Sequence, residues 1–337
     1  MAATTEYGPR GSDVTLTEAA RDVLRRAVGS RTGTAGDVGF RVLTLLCALA
    51  ILAVVLGVAV VLVLQSGLSL HTFGWSFLVN RTWDPVAKKF GALPFIYGSV
   101  VTSAVALILA TPLGLAVALY LTEAAPRPLR APLAFGAELL AAIPSVVYGL
   151  WGIFVLVPVL RSVVEPALGH VLGFLPVFSG PAYGVGLLAG GCIIAIMIVP
   201  TIIAISRDVI AAVPQAQREA AYALGATRWE VISGAVLPFG ASGIIGAVVL
   251  ALGRAIGETM AVTMVIGNNH DISASVFGLG DTLASVIANE FAEAADRLYL
   301  STLVEVGLVL FGVTIILNII ARLLVWRVAR GNVGATV

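Results

Sequence analysis

The chain has 337 residues, of which 59% are hydrophobic and 12% charged, with a mean hydropathy of +1.01. That balance excludes an ordinary soluble globule and describes a protein that crosses a membrane several times. The net charge of +1 gives no general attraction to nucleic acid, and the two cysteines, Cys47 and Cys192, sit in apolar runs that offer neither a disulfide framework nor a CxxC metal site.

Residues 1–41 are polar and arginine-bearing and read as a cytoplasmic N-terminal segment. Thr15 and Glu18 are spaced as a capping box, and Leu16, Ala20, Val23, Leu24 and Ala27 share one helix face until Gly29, which predicts a solvated or membrane-surface helix. No cleavable leader is expected, because the apolar run begins late and lacks a small-residue cleavage site. About twenty apolar residues, each rising about 1.5 Å, cross the hydrocarbon. Six stretches qualify: 42–64, 97–121 with a kink at Pro112, 131–160, 183–205, 239–266 and 300–326, leaving 327–337 as a tail. Arg41, Arg127, Arg130, Arg207, Arg218, Arg228, Arg322 and Arg327 fall on one side of this pattern, and Arg81, Lys88, Lys89, Arg161 and Arg297 on the other. Short cytoplasmic loops retain Lys and Arg, so both termini are expected in the cytoplasm and segments 65–96, 161–182 and 267–299 outside.

Between the fourth and fifth stretches lies a polar insertion, Glu219 to Pro238. Pro214 suits a helix start, Gln215 to Leu224 carries good helix formers, and Gly225 can take the left-handed conformation that ends the helix. Thr227 stands three residues before Glu230, which predicts a capping box and a second helix running toward Pro238. The expected product is a helix, a tight turn and a helix outside the membrane.

The fifth stretch carries two charges, Arg254 and Glu258, each costing about 2.5–3.5 kcal/mol at bilayer depth on insertion scales. Spaced i to i+4 on a continuous helix, they would share one face and could pair. Either they form an ion pair that locks packing, or they line a polar passage where Arg254 offers a planar donor fork to an oxyanion and Glu258 weakens its grip. Thr259 and Thr263 could donate hydroxyls to the same anion or bond their own backbone. Gly253 and Gly257 have GxxxG spacing, which fits either packing within the chain or a subunit interface.

Glu219, Ala220, Ala221, Gly225, Leu237 and Pro238 resemble the EAA loop of ABC-importer permeases, with Ala235 in place of that pattern's isoleucine. The runs AAIPSVVYGLWG (141–152), VPTIIAISRDVI (199–210), LGRAIGETMAVT and LASVIANEFAEA (283–294) narrow the resemblance to the PstC family of phosphate ABC-importer permease subunits, over about Leu93 to Trp326. The resemblance implies an all-α membrane protein of six transmembrane helices in the type I ABC-importer (MetI-like) architecture, with residues 93–326 as the permease core and the EAA loop as cytoplasmic coupling helix. It implies a PstA-type permease beside this chain, two PstB-type ATP-binding subunits, an extracytoplasmic phosphate-binding protein, and roles for Arg254 and Glu258 in passing phosphate, with Thr259 added to that path on its hydroxyl alone. No cofactor is expected on this chain, since neither Lys88 nor Lys89 follows a glycine as a Walker A lysine must; ATP and Mg belong to the partners.

The outward segment Asp281 to Asp296 predicts a short helix capped by Asp281, with Leu283, Val286, Ile287 and Phe291 on its apolar face and Glu290, Glu293 and Asp296 on its polar face. Phe73, Trp75, Phe77 and Trp83 read as interfacial anchors. His71, His170 and His270 lie far apart, without metal-ligand spacing, and read as solvated loop residues; Ser145 has no G-x-S-x-G elbow around it. A permease for sulfate, molybdate or phosphonate, a gradient-driven transporter and a membrane scaffold remain open on residues alone.

Overall fold

The structure, a computed structural model, describes residues 35–333, with side chains described for 36–327. The helix expected around Leu16 to Ala27 and the last residues of the tail lie outside the described residues. The chain divides into two units, residues 1–58 and 59–337. The described part of the first belongs to helix α1 (Ala35–Gln65), strongly apolar and exposed on every face up to Val58.

In the second unit, α2 (Gly67–Phe73) and α3 (Ser76–Val79) precede the long α4 (Leu93–Ala124), which runs through Pro112 and ends in a π-turn at Tyr120–Ala124. There follow α5 (Arg127–Ala142), α6 (Ser145–Leu172), α7 (Leu187–Ala211), α8 (Gln215–Ala223), α9 (Arg228–Ile256), α10 (Met260–Val265), α11 (Leu283–Glu290) and α12 (Arg297–Val333). Among the described residues, six helices are long and apolar enough to span a membrane: α1, α4, α6, α7, α9 and α12.

The core forms around α7, whose Ile193, Ile198 and Ile202 are fully buried against Ala106 and Ala110 of α4, Ala251 and Ala255 of α9, and Val262 and Val265 of α10. Lipid tails are as apolar as leucine, so such helices associate by close packing, for which small residues clear the way. A β-carbon at Gly114 would stand 2.7 Å from Ile202, and one at Gly191 would stand 2.5 Å from Val105.

The third span differs from the expected 131–160. Residue 143 precedes Pro144, a position barred from the helical region by the proline ring, and both residues are extended with ψ of 129° and 141°. Helix α5 therefore stops short as a separate piece with no buried residue, and the span begins at Ser145 and continues to Leu172. Tyr148 of α6 donates its hydroxyl to the Leu140 carbonyl at 2.8 Å, tying the two across the corner. Arg161 and Glu165, expected in an outward segment, lie inside α6, where Glu165 is buried and accepts from the Gly184 amide at 2.9 Å.

The fifth span starts earlier than expected and breaks. Its helix includes the second limb of the hairpin, from Arg228, and ends at Ile256; Gly257 to Thr259 are not helical, and α10 resumes at Met260.

Candidate functional site

Two places draw together the residues singled out in the sequence. The first is the hairpin. Pro214, with ψ of 135°, leads into α8; Gly225 has φ of +84° and donates its amide to Tyr222 O at 2.9 Å. Glycine enters that region without the β-carbon penalty. Thr227 and Glu230 form the expected capping box: the Thr227 amide donates to Glu230 Oε2 at 2.7 Å and the Glu230 amide to Thr227 Oγ1 at 3.4 Å. The second limb does not stop outside the membrane, because a π-turn at Ile232–Val236 carries the helix into Leu237 and Pro238 and so onward along α9. Proline lacks an amide and crowds the carbonyl four residues back, and at the restart of the α-helix neither is a defect.

The hairpin is two-faced. Ala221, Ala226 and Leu237 pack on Val213, Val231 and Val236, beside Ala118 and Ile210. Arg218 ties the first limb down, donating to Ile210 O at 2.7 Å and pairing with Glu123 at 3.1 Å. Glu219 and Ala220 face solvent, and so do Tyr222, Trp229 and Leu224, the last 90% exposed. The sequence reading passed over these three; the signal was available, since Leu224 immediately precedes the glycine turn, where no core remains to receive it.

The second place is the break. Arg254 lies exposed on the last turn of α9, and among the described residues no ion pair joins it to Glu258. The expected pairing needed an unbroken helix, and Gly257 ends it. Glu258 Oε1 instead accepts from the Ala261 amide at 3.3 Å, capping α10, while Thr263 Oγ1 donates to Thr259 O at 2.8 Å. Arg254 thus keeps its charge unpaired beside the carbonyl end of α9, which favours a cation there. A β-carbon at Gly253 would meet nothing within 4 Å, although Leu317 and Asn318 of α12 lie beside that glycine.

At the far end of the same span lies a cluster that sequence reading did not find. His270 Nε2 meets Glu290 Oε1 at 3.0 Å and Asp281 Oδ2 at 3.6 Å. Glu290 Oε2 accepts from Trp83 Nε1 at 2.8 Å and from the Tyr299 hydroxyl at 2.5 Å. Asp281 accepts from the Thr282 amide and the Ser285 hydroxyl. Thr282, not Asp281, caps α11 through a box with Ser285. Leu283 and Val286 are buried and Glu293 and Asp296 exposed as expected, but Glu290 points inward and Phe291 outward; Phe77 and Trp83 are buried among Phe90 and Phe95, while Trp75 alone of the four aromatics is strongly exposed. Gly98 of α4 makes room for the Asp281 carbonyl.

Burial disfavours the charged imidazole of His270, but the Glu290 hydrogen bond and the carboxylates of Glu290, Asp281 and Asp271 outweigh it and raise its pKa. Burial pushes Asp281 up to about 6 against the hydrogen bonds from Ser285 and Thr282. Glu290 is also penalised by burial, yet hydrogen bonds from His270, Tyr299 and Trp83 hold it below the usual carboxylate range.

Six spans of membrane-crossing length and a two-faced hairpin between the fourth and fifth define a polytopic helical membrane protein that presents an apolar surface beside its bundle. Residues 110–330 match the family described as binding-protein-dependent transport system inner membrane component. The phosphate transport system permease protein PstC of Mesorhizobium japonicum is 49% identical over 296 residues, covering 87% of this chain and 90% of that one. PstC of Pasteurella multocida is 45% identical over 86% of this chain and 92% of its own, and PstC 1 of Mycobacterium tuberculosis is 40% identical over 77% and 79%. In fold alone, a chain of the inward-facing MetNI methionine ABC transporter matches with a TM-score of 0.51 at 16% identity, covering 73% of this chain and 99% of that one. The chain belongs to the inner-membrane components of binding-protein-dependent transport systems and, among them, to the PstC family of phosphate transport system permeases.

Proposed function

We propose that this chain is the transmembrane permease subunit of an ATP-driven importer of inorganic phosphate. It works beside a homologous PstA-type permease, with two PstB-type ATP-binding subunits on the cytoplasmic side and a phosphate-binding protein on the other. The observation that carries this reading is the near-half identity to a phosphate transport system permease along nine-tenths of that relative.

Both termini and the hairpin lie in the cytoplasm in this reading, where Arg127, Arg130, Arg207, Arg218 and Arg228 collect. The ATP-binding subunits grip Glu219, Ala220 and Gly225 together with Tyr222, Leu224 and Trp229, whose exposed apolar surface outside the bilayer suits a partner. Ala221, Leu237 and Pro238 hold the hairpin to the spans behind it. Access alternates: ATP-driven closure of the partners drags the hairpin and tips α9, opening a passage near Arg254, and hydrolysis reverses it.

Arg254 is the oxyanion contact. Its guanidinium presents a planar set of donors matched to phosphate oxygens, and without a carboxylate partner it has donors to spare. Glu258 and Thr259 set the end of α10 at the same level of the span, so the Gly257–Thr259 break faces the passage. The exposed Arg254 turns toward the homologous permease, which completes the path.

Phosphate uptake by the reconstituted complex tests this. Arg254→Gln keeps hydrogen-bonding capacity but not the charge, and uptake should fall by on the order of a hundredfold, the loss of a charge-assisted contact of about 3 kcal/mol, with subunit assembly intact. Uptake that survives the change makes the charge structural.

A further inference from the structure

A buried polar seam joins α2 to α12. The Ser69 amide donates to Ser301 Oγ at 3.2 Å, Ser69 Oγ and Thr302 Oγ1 are 3.2 Å apart, and Ser301 Oγ donates to Gln65 O at 2.8 Å. One turn farther along α12 the seam ends at Glu305, which is 3% exposed. Its Oε2 is buried with no hydrogen-bond partner among the described residues. Glu305 also lines a cavity of about 700 Å³ whose remaining walls are apolar, Leu70, Trp75, Leu78, Val309, Gly312 and Ile316 among them.

Size and depth restrict the occupant. Eleven residues of helix separate Glu305 from Ile316, a length of about 16 Å, close to half the roughly 30 Å of hydrocarbon in a bilayer. That length suits an extended alkyl chain lying along α12. Trp75 is 87% exposed at the mouth, as befits a side chain at the membrane–water interface. A purely hydrocarbon ligand would leave Glu305 Oε2 unpaired in an apolar setting, and a water-soluble one would not suit the walls. An amphiphile answers both.

We propose that this groove binds one glycerophospholipid from the leaflet on the His270 side, its acyl chain lying along α12 toward Ile316 and an ester carbonyl at its glycerol end accepting a hydrogen bond from the neutral carboxyl of Glu305. The site lies apart from the hairpin and the Gly257–Thr259 break, and it does not depend on which anion the complex carries.

The test is photolabelling of the whole reconstituted complex in phosphatidylcholine vesicles doped with phosphatidylethanolamine bearing a diazirine in its acyl chain, with adducts mapped by mass spectrometry. Adducts should concentrate between Leu308 and Ile316. A β-carbon at residue 312 meets nothing within 4 Å, so Gly312→Phe can fill the groove without displacing backbone, and it should cut this labelling about tenfold. Glu305→Leu should lower it comparably, whereas Glu305→Gln, which keeps a hydrogen-bonding end, should retain most of it. Undiminished labelling in Gly312→Phe overturns the proposal even if the Glu305 variants fail to assemble. So does disulfide capture of Leu308→Cys by a second permease chain, which would make the groove a protein interface. The label is read without any transport, so a permease for a different cargo would give the same result.

Discussion

The hairpin and the His270 cluster terminate the same span at opposite ends, and they treat their side chains in opposite ways. In the cluster, Trp83, His270, Asp281, Glu290 and Tyr299 come from five separate places in the chain and meet in a part-buried network, with Glu290 bonded by Trp83, Tyr299 and His270. In the hairpin, Tyr222, Leu224 and Trp229 come from one short stretch and expose much of their apolar surface among the described residues. A polar network closed on itself fixes a local shape. An apolar surface left open on a polar segment invites another molecule. One end of the span is finished by this chain, and the other leaves an apolar surface open.

That contrast breaks most readily at Glu290. Glu290→Ala strips the acceptor from Trp83, Tyr299 and His270 at once, and losing one member of a buried pair costs about 3–5 kcal/mol. A large fall in the thermal midpoint of the purified chain is expected, and an unmoved midpoint would show that the cluster does not hold the fold. At the hairpin, Gly225→Val forces a β-branched residue into φ of +84°, a strain of about 1–3 kcal/mol confined to the turn. Uptake should fall steeply while ATP hydrolysis by the complex continues, and Gly225→Asn, whose side chain tolerates that region, should restore part of it.

Acidity acts on the cluster through three facing groups. A group whose folded pKa is raised contributes stability that is present below its unfolded value and lost as pH rises through the folded one, so the His270 contribution is full below 6.5 and fades above it. Asp281, pushed up to about 6, acts in the same direction, since its buried carboxylate costs stability once ionised. Glu290 is depressed, so its contribution is present above 4.5 and fails only as pH drops through its lowered value. The thermal midpoint should therefore decline from pH 6 to pH 8, and His270→Gln should flatten that slope. A slope unchanged by His270→Gln would place the titration elsewhere. The smallest effect on stability belongs to Leu224→Ser, expected within about 0.5 kcal/mol of the parent, with ATP-binding subunits no longer co-purifying. Retention of those subunits would remove Leu224 from the docking surface.

The hairpin was legible because its instructions are local: a proline before the first limb, a glycine after it, and a hydroxyl three residues ahead of a carboxylate. The corner at Pro144 was equally local, and the apolar run merely concealed it. The break at Gly257 was harder to see, because Arg254 and Glu258 fit an i to i+4 face so well that the intervening glycine passed as a packing residue. The His270 cluster was out of reach: no spacing rule joins residue 83 to 270 or 270 to 290, and only the tertiary fold brings a histidine that looks solvated against two carboxylates.

Because the hairpin's second limb never separates from the fifth span, α9 is a single rod of 29 residues, about 43 Å long, bulged at Ile232–Val236 but uncut until Ile256. A rod transmits displacement without any chain of intermediate contacts. In the proposed cycle, force delivered at Trp229 would arrive directly at Arg254, and the three non-helical residues 257–259 would be where that travel ends.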